Sequence, residues 1–298
     1  MYDVIVIGMG PAGMSAAIYA KRSGLNVLML EKETPGGMVA KTNVVSNYLG
    51  YESLGGPELA TKMFFHTQEQ EVPYRMEEVE DIIVEDNKKI VVTTEEAYEA
   101  KAIIICGGRH PKKSNLENES DFIGKGVSYC AICDAPLYKD KIVAVLGGGN
   151  SAFEEGIYLA GFAKKVYILN RSDSIRADIV LQEKAKEKGN IEVLINTNAK
   201  KIISEKDVVK SIILEDDNKL DVDGVFVYVG YEPTTGYLSK LGILTEDNYI
   251  EVDSEMRTKI KGIYAAGDII KKNLYQIVTA TSEGAIAATT AKRDLKEL

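Results

Sequence analysis

The sequence predicts an α/β protein, because a strand, a glycine-rich turn, a helix and a second strand follow one another twice along the 298 residues. In the first copy, residues 4–7 are a β-branched apolar run, and residues 8–13 read Gly-Met-Gly-Pro-Ala-Gly. Residues 14–22 carry apolar side chains at helical spacing, and an apolar strand over 26–30 ends at Glu31. This order is typical of a helix that joins two parallel strands.

The same unit returns later in the chain. It comprises an apolar strand, a glycine-rich turn, a helix and a second strand over residues 142–146, 147–152, 153–160 and 165–169. Glu31 stands 23 residues after Gly8, and Asn170 stands 23 residues after Gly147. Two such units with one spacing predict two Rossmann-like, three-layer β-β-α domains, with the second inserted in the first.

The domain boundaries are predicted from polar stretches that contain proline or glycine, at residues 111–121 and 230–236. We place the first domain at residues 1–113 and 235–298, and the second at residues 114–234. Further elements are predicted as strands over 90–94, 102–106 and 225–229, as a strand that runs into a turn over 262–268, and as a terminal helix over 276–295.

Composition and charge exclude several classes of protein. Hydrophobic residues make up 45% and charged residues 27%, as in ordinary soluble domains. The formal charge of -9 disfavours binding to nucleic acids and to anionic membranes, which favour a basic face. There is no basic segment before an apolar stretch at the N-terminus and no apolar run of membrane-spanning length, so we expect a cytoplasmic location.

The first glycine-rich turn has the context of a dinucleotide site, although a turn that binds no ligand is the alternative. Its glycines permit a close approach to a pyrophosphate, and the following helix presents unpaired N–H groups to the phosphates. Glu31 can accept hydrogen bonds from ribose hydroxyls and would repel a 2′-phosphate. The residues predicted to form the site are Gly8, Gly10, Pro11, Ala12, Gly13, Glu31 and Lys32.

Gly267 and Asp268 add to this site if it holds a flavin. An aspartate at the end of a strand can hold a polyhydroxylated linker such as ribitol. The helix that begins near Gln276 would direct its N-terminus at the flavin pyrimidine, where reduction places negative charge. Because Gly-Asp is also a common turn, this assignment depends on the whole set of motifs.

The second turn differs at the position that follows its second strand. Asn170 is neutral there, and Arg171 and Arg176 follow, which suits a 2′-phosphate and therefore NADPH. The alternative is that both arginines are solvated surface charges. The turn residues predicted to bind this nucleotide are Gly147, Gly149, Asn150, Ser151 and Ala152.

Cys130 and Cys133 form a C-x-x-C, and Cys106 ends an apolar strand and is predicted to be a core residue. The pair can be redox-active, half of a zinc site, or two inert core cysteines. Zinc is disfavoured because the sequence has no second paired ligand motif, and we predict no metal. Asp134 is a candidate proton donor or acceptor, or else a turn residue.

Together these motifs resemble the low-molecular-weight thioredoxin reductases of the bacterial type over nearly the whole chain. The most specific stretch, residues 126–134, is close to the active-site signature of that family. Residues 8–13 and 147–155 resemble its two nucleotide turns. The remaining residues that the resemblance assigns to the flavin site are Gly37, Met38, Asn47, Gly107, Gly267, Asp268, Gln276 and Ile277.

The resemblance implies an FAD domain split around a central NADPH domain that carries the cysteines. Electrons would pass from NADPH through FAD to the Cys130–Cys133 disulfide and on to thioredoxin or a thioredoxin-like protein. It also implies a homodimer whose domains rotate relative to each other, with Cys133 nearest the flavin and Asp134 as the acid. It does not indicate which thiol attacks the partner.

The chain departs from the family pattern mainly on the nicotinamide side. Where the family has His-Arg-Arg-x-x-x-Arg, residues 170–176 lack the histidine and one arginine. This leaves NADH or ferredoxin open as the electron donor, and a non-catalytic flavin redox sensor is an alternative of a different class. The other departures are Met38 for Gln, Ala135 for Gly, Tyr231 for His and Tyr275 for Arg.

Overall fold

The computed structural model describes residues 1–42, 44–85 and 88–296. The chain divides into two compact units, of which the first combines Met1–His110 with Glu232–Leu298 and the second is Pro111–Tyr231. The chain passes from one unit to the other after His110 and after Tyr231, and each of these boundaries lies three residues before the boundary predicted from the sequence. No helix in the described part of the chain is both long and apolar enough to cross a membrane.

The described residues of the first part of the first unit form eight strands and two α-helices. They are β1 (Tyr2–Ile7), α1 (Pro11–Arg22), β2 (Val27–Glu31), β3 (Val44–Val45), β4 (Leu54–Gly55), α2 (Gly56–Glu69), β5 (Tyr74–Met76), β6 (Val79–Val84), β7 (Lys89–Thr93) and β8 (Ala97–Ile105). A 3-10 helix at Gly37–Lys41 precedes β3.

The second unit follows a crossing strand, β9 (Arg109–Pro111). Its elements are β10 (Val127–Ser128), α3 (Ala131–Asp134), β11 (Ile142–Leu146), α4 (Asn150–Leu159), β12 (Lys165–Leu169), α5 (Ile179–Glu187), β13 (Ile191–Leu194), β14 (Ala199–Glu205), β15 (Val208–Leu214), β16 (Lys219–Asp221) and β17 (Gly224–Val227). The chain returns through β18 (Tyr231–Pro233), which pairs with β9. The first unit then ends with β19 (Ile263–Ala265) and α6 (Ile277–Asp294).

The sheet of the first unit has a parallel part in the order β5-β2-β1-β8, and β19 pairs in parallel with the second half of β8. The four residues Val4–Ile7 are buried, which explains their uninterrupted apolar run. The first half of β8 pairs antiparallel with β7, and β7 pairs with β6. Because β2, β1, β8 and β19 pair in parallel, their carboxyl ends lie at one edge of this sheet. The predicted flavin-site residues that end or follow these strands therefore share that edge.

The second unit has three layers. Its parallel sheet has the order β10-β17-β11-β12-β13, and β14, β15 and β16 form a separate antiparallel sheet. Phe153 of α4 packs with Val145 and Phe226 on one face, while Ile202 and Ile212 of the antiparallel sheet pack in the core on the other face. This arrangement confirms the predicted β-β-α fold.

Two predicted helices begin earlier than their apolar spacing indicated. The helix α1 starts at Pro11 instead of residue 14, because proline is accommodated in the first turn, where no intrahelical N–H bond is lost. The helix α4 starts at Asn150 instead of residue 153. In both cases the helix begins inside the glycine-rich turn, which places unpaired backbone N–H groups where a phosphate would bind.

Candidate redox and dinucleotide site

The first glycine-rich turn assigns a different task to each glycine. Gly8 has a φ of +100°, and a Cβ there would lie 2.4 Å from the carbonyl oxygen of Cys106. A Cβ on Gly13 would lie 1.8 Å from the Gly8 carbonyl oxygen. Around Gly10, by contrast, no described atom lies within 4 Å of an added Cβ. Gly8 and Gly13 are thus required by packing, whereas Gly10 leaves backbone open to a ligand.

Glu31 is fixed beside this turn by two backbone N–H groups. Its Oε2 accepts a hydrogen bond from the Met9 N–H at 2.7 Å, and its Oε1 accepts one from the Glu33 N–H at 2.9 Å. Each carboxylate oxygen keeps further acceptor capacity, as ribose recognition would need. Lys32 is exposed and pairs with Glu78 at 3.4 Å.

Two other predicted segments lie directly against the turn. The Gly36 N–H donates to the Met9 carbonyl at 2.8 Å, and a Cβ on Gly37 would lie 3.4 Å from the Gly10 Cα. A Cβ on Gly267 would lie 2.7 Å from the Cβ of Ala12, so this glycine permits close contact with α1. Met38 is half-buried in the 3-10 helix that follows Gly37.

Asn47 and Gln276, far apart in sequence, are in direct contact. The Asn47 Nδ2 donates to Gln276 Oε1 at 3.1 Å. Gln276 is also the N-cap of α6, where its side chain and that of Thr279 form a capping box. Ile277, the first residue of the helix, packs on a small apolar cluster that contains Leu59.

Gly107 lies beside a tyrosine that the sequence did not single out. A Cβ on Gly107 would lie 3.5 Å from the Tyr237 hydroxyl. That hydroxyl is buried and has no hydrogen-bond partner among the described residues. Burial raises the pKa of Tyr237, so the phenol keeps its proton and remains a donor.

Asp268 is held by two cations that sequence reasoning also missed. Its Oδ2 lies 3.0 Å from Arg109 Nη2, and its Oδ1 lies 3.5 Å from Lys272 Nζ. Lys272 pairs in turn with Glu283 at 2.7 Å, and Glu283 accepts a hydrogen bond from the Gly267 N–H at 2.9 Å. The aspartate predicted to hold ribitol is therefore part of a four-membered charge network.

The second glycine-rich turn repeats the design of the first. Gly147 has a φ of +141°, and a Cβ there would lie 2.3 Å from the carbonyl oxygen of Tyr228. Around Gly149 no described atom lies within 4 Å of an added Cβ. The middle glycine again leaves backbone open at the start of a helix, here α4.

The loop that carries the two predicted arginines is tied to this turn. The buried Asn170 donates from Nδ2 to two carbonyl oxygens of the loop, at 2.8 and 3.1 Å. The Gly148 carbonyl accepts a hydrogen bond from the Arg176 N–H at 2.8 Å. Arg171 and Arg176 are both exposed. Asn170 thus shapes the loop, and the guanidinium groups are accessible.

The remaining residues of the second turn have unequal exposure. Ala152 is fully buried, and Ser151 is half-buried in the first turn of α4. Asn150 is already engaged, since its Nδ2 donates to Asp178 Oδ2 at 2.9 Å and its Oδ1 accepts from the Asp178 N–H at 2.8 Å. Asp178 therefore places a negative charge close to the turn.

Cys130 and Cys133 form a disulfide, with their Cα atoms 5.3 Å apart. Cys133 is exposed and Cys130 is half-buried at the N-cap of α3. Asp134 is half-buried, and its N–H donates to the Cys130 carbonyl at 3.2 Å. Cys106 is free and buried, and burial raises the pKa of its thiol. The redox pair is thus the accessible one, and the third cysteine lies in the core.

Two tyrosines hold the backbone next to the disulfide. The Tyr228 hydroxyl accepts a hydrogen bond from the Ala131 N–H at 2.8 Å. The Tyr129 hydroxyl donates to the carboxylate of Glu119, a buried residue. Both contacts connect segments that the sequence pattern does not relate.

Glu155 is a second acidic group near this site. It lies on α4, and its Oε2 is buried without a hydrogen-bond partner among the described residues. Burial, with a smaller contribution from Glu154, raises the pKa of Glu155 to about 7. Its charge also raises the pKa of Tyr228, a shift to which burial contributes most.

Comparison with known proteins places this geometry in a family. Residues 2–284 match the family described as pyridine nucleotide-disulphide oxidoreductase, and the chain belongs to that family. It is 43% identical over 303 residues to the thioredoxin reductase of Bacillus subtilis (strain 168), with 100% of this chain and 96% of that protein covered. The resemblance to bacterial thioredoxin reductases is thereby confirmed.

Solved structures agree. The crystal structure of Lactococcus lactis thioredoxin reductase matches with a TM-score of 0.96 and 36% identity, covering 100% of both chains. A ferredoxin-flavin thioredoxin reductase from Clostridium acetobutylicum matches with a TM-score of 0.56 and 32% identity, covering 100% of this chain and 99% of that one.

Proposed function

We propose that this chain is a thioredoxin-disulfide reductase that uses NADPH and FAD to reduce a thioredoxin-like protein. The observation that carries the proposal is the accessible Cys130–Cys133 disulfide at the start of a helix, in a chain with two open glycine-rich turns. Two electrons and two protons convert this disulfide to a dithiol. The dithiol then reduces the partner disulfide through a mixed disulfide and is itself reoxidised.

The residues around the disulfide have separable tasks in that exchange. The thiolate is the attacking species in thiol–disulfide exchange, and Cys130 stands at the N-cap of α3. The Tyr228 hydroxyl fixes this segment through the Ala131 N–H. Asp134, next to Cys133, is positioned in the chain to give a proton to one sulfur or take it back.

The first unit fits FAD. Gly10 leaves room for a pyrophosphate at the N-terminus of α1, and Glu31 offers acceptors for ribose. Asp268 and the Asn47–Gln276 pair provide polar groups for the ribitol and the pyrimidine. FAD, which family thioredoxin reductases use with NADPH, would supply the two-electron relay between the nicotinamide and the disulfide.

The second unit fits a pyridine nucleotide. Gly149 is open at the N-terminus of α4, and the unpartnered Glu155 Oε2 can accept a hydrogen bond from a polar group of a bound dinucleotide. The backbone contact of Arg176 with Gly148 keeps the arginine loop beside the turn, where a 2′-phosphate would bind.

Replacing Arg171 with Gln is expected to raise the KM for NADPH about tenfold and to leave that for NADH unchanged. The reason is the loss of one charge-assisted hydrogen bond, which is worth roughly 1.5–3 kcal/mol. Steady-state kinetics with both nucleotides measures the two KM values. The control is Lys219→Gln on β16, which also removes one cation from the second unit. An equal change with NADPH and NADH would contradict contact with the 2′-phosphate.

The alternative donors are NADH and reduced ferredoxin. Asn170 and Ser172 stand where the family pattern has charged or ionisable residues, and one structural relative is a ferredoxin-flavin enzyme. Anaerobic reduction with NADPH, NADH and reduced ferredoxin in parallel tests the donor. We expect NADPH to bleach the yellow protein. If only reduced ferredoxin bleaches the protein, the assignment of NADPH as the donor is wrong, and the proposed disulfide chemistry still holds.

We further propose that the protein is a cytoplasmic homodimer, as the resemblance implies, and sedimentation of the flavin-loaded protein tests the dimer. The non-catalytic redox sensor is distinguished by turnover. A sensor would accept electrons once per molecule, whereas a reductase would consume donor continuously while oxidised thioredoxin is present.

A further inference from the structure

Arg109 connects three segments of the first unit. It follows β8, its Nη2 lies 3.0 Å from Asp268 beyond β19, and its guanidinium carbon lies 3.9 Å above the centre of the Tyr275 ring. Tyr275 directly precedes Gln276, the N-cap of α6. The guanidinium therefore lies between the residue assigned to ribitol and the helix start assigned to the pyrimidine.

The stacking partner of Arg109 stands at a position where the chain departs from its family. The family has arginine before the glutamine, and this chain has Tyr275. The aromatic face is used by a cation, as expected for arginine above a tyrosine within 6 Å. A positive charge is thus still present at the start of α6, but it comes from Arg109, the first residue of β9.

When all four groups of the network are ionised, their charges balance only if Arg109 is present. Asp268 and Glu283 are the acids of the network, and Arg109 and Lys272 are its bases. Lys272 lies closer to Glu283, at 2.7 Å, than to Asp268, at 3.5 Å. Without Arg109 the network would hold one more acid than base. An excess of negative charge disfavours a flavin that gains negative charge on reduction.

We propose that Arg109 is a positioning residue of the flavin site, which holds Asp268 and Tyr275 in place and supplies the charge that favours reduced flavin. This inference rests on the proposed function, because FAD is the ligand assigned to the site. It predicts an effect on the flavin midpoint potential, a quantity that a purely structural contact would leave unchanged.

The experiment compares Arg109→Gln, Arg109→Lys and the control Arg22→Gln, which removes an exposed cation at the far end of α1. The readouts are the FAD dissociation constant and the midpoint potential of the bound flavin. In Arg109→Gln, reduced flavin should bind about tenfold more weakly relative to oxidised flavin. For a two-electron couple this is a potential about 30 mV lower. Arg109→Lys should recover at least half of the shift, and Arg22→Gln should show none.

The outcomes separate the inference from the proposed function. A wild-type protein that binds no FAD would contradict the proposed function. A yellow wild type with an unchanged potential in Arg109→Gln would overturn the inference alone. If Arg109→Gln retains no flavin, Arg109→Lys decides the question. A near-wild-type flavin potential in Arg109→Lys supports the role of the positive charge, and a loss of flavin in this variant overturns the inference.

Discussion

Cys133→Ser is expected to lower turnover with a thioredoxin-like partner by more than about 10³-fold, the scale on which removal of a covalent nucleophile acts. A serine cannot form the disulfide with Cys130, so the electron pair has no acceptor on the second unit. The proposed FAD site uses residues of the first unit, and flavin binding should therefore be unchanged. Reduction of the flavin by its donor should also persist, because only the step after it is blocked.

Cys106→Ala is the matched control for the removal of a sulfur. Cys106 is buried and free, and it lies outside the redox pair. Thiol titration after denaturation should find one thiol in the oxidised wild type and three after reduction. Cys106→Ala should show no thiol in the oxidised protein and two thiols after reduction, and it should keep full turnover. Wild-type turnover in Cys133→Ser would refute the assigned role of the pair.

The sequence predicted the parts of the site that depend on local backbone geometry. Gly8, Gly13 and Gly147 each lie where an added Cβ would meet a backbone oxygen. Because only glycine fits such positions, the glycines in the sequence predict the tight turns directly. The strands β11 and β12 have the predicted limits, because both are inner strands of the parallel sheet, apolar throughout β11 and from Val166 to Leu169 in β12.

The sequence did not predict residues whose roles depend on distant contacts. Arg109 meets Asp268 across 159 positions, and Tyr228 meets Ala131 across 97. No local period or motif relates such pairs, since they arise only when parallel strands bring their ends together. The antiparallel strands β14–β16 are not predicted either, because lysine and acidic residues interrupt their apolar runs.

Both nucleotide turns place an open glycine between two positions that are closely packed. In each turn the first glycine lies against the strand that follows the unit, at Cys106 in one case and Tyr228 in the other. The two units thus share one turn geometry but differ at the residue 23 positions after the first glycine, which is Glu31 in the first unit and Asn170 in the second. We propose that the turn binds phosphate in each unit and that the residue at the end of the second strand determines which nucleotide is selected.

Gly10→Ala is expected to abolish most FAD binding without loss of stability in the apoprotein. The backbone at Gly10 has φ -77° and ψ -178°, which alanine adopts readily, and an added Cβ meets no described atom within 4 Å. The methyl group would instead occupy the space assigned to the pyrophosphate. We expect FAD affinity to fall about 10- to 100-fold, the equivalent of ~1–3 kcal/mol of overpacking.

Gly13→Ala provides the opposite case within the same turn. Its Cβ would lie 1.8 Å from the Gly8 carbonyl oxygen, a backbone atom that cannot move aside without shifting β1 or α1. This change should lower the free energy of unfolding of the apoprotein by about 3 kcal/mol or more. Denaturant unfolding of both apoproteins, combined with FAD titration, measures the two effects separately. Wild-type FAD affinity in a stable Gly10→Ala protein would show that no ligand approaches this backbone, and the assignment of the turn to a pyrophosphate would then be wrong.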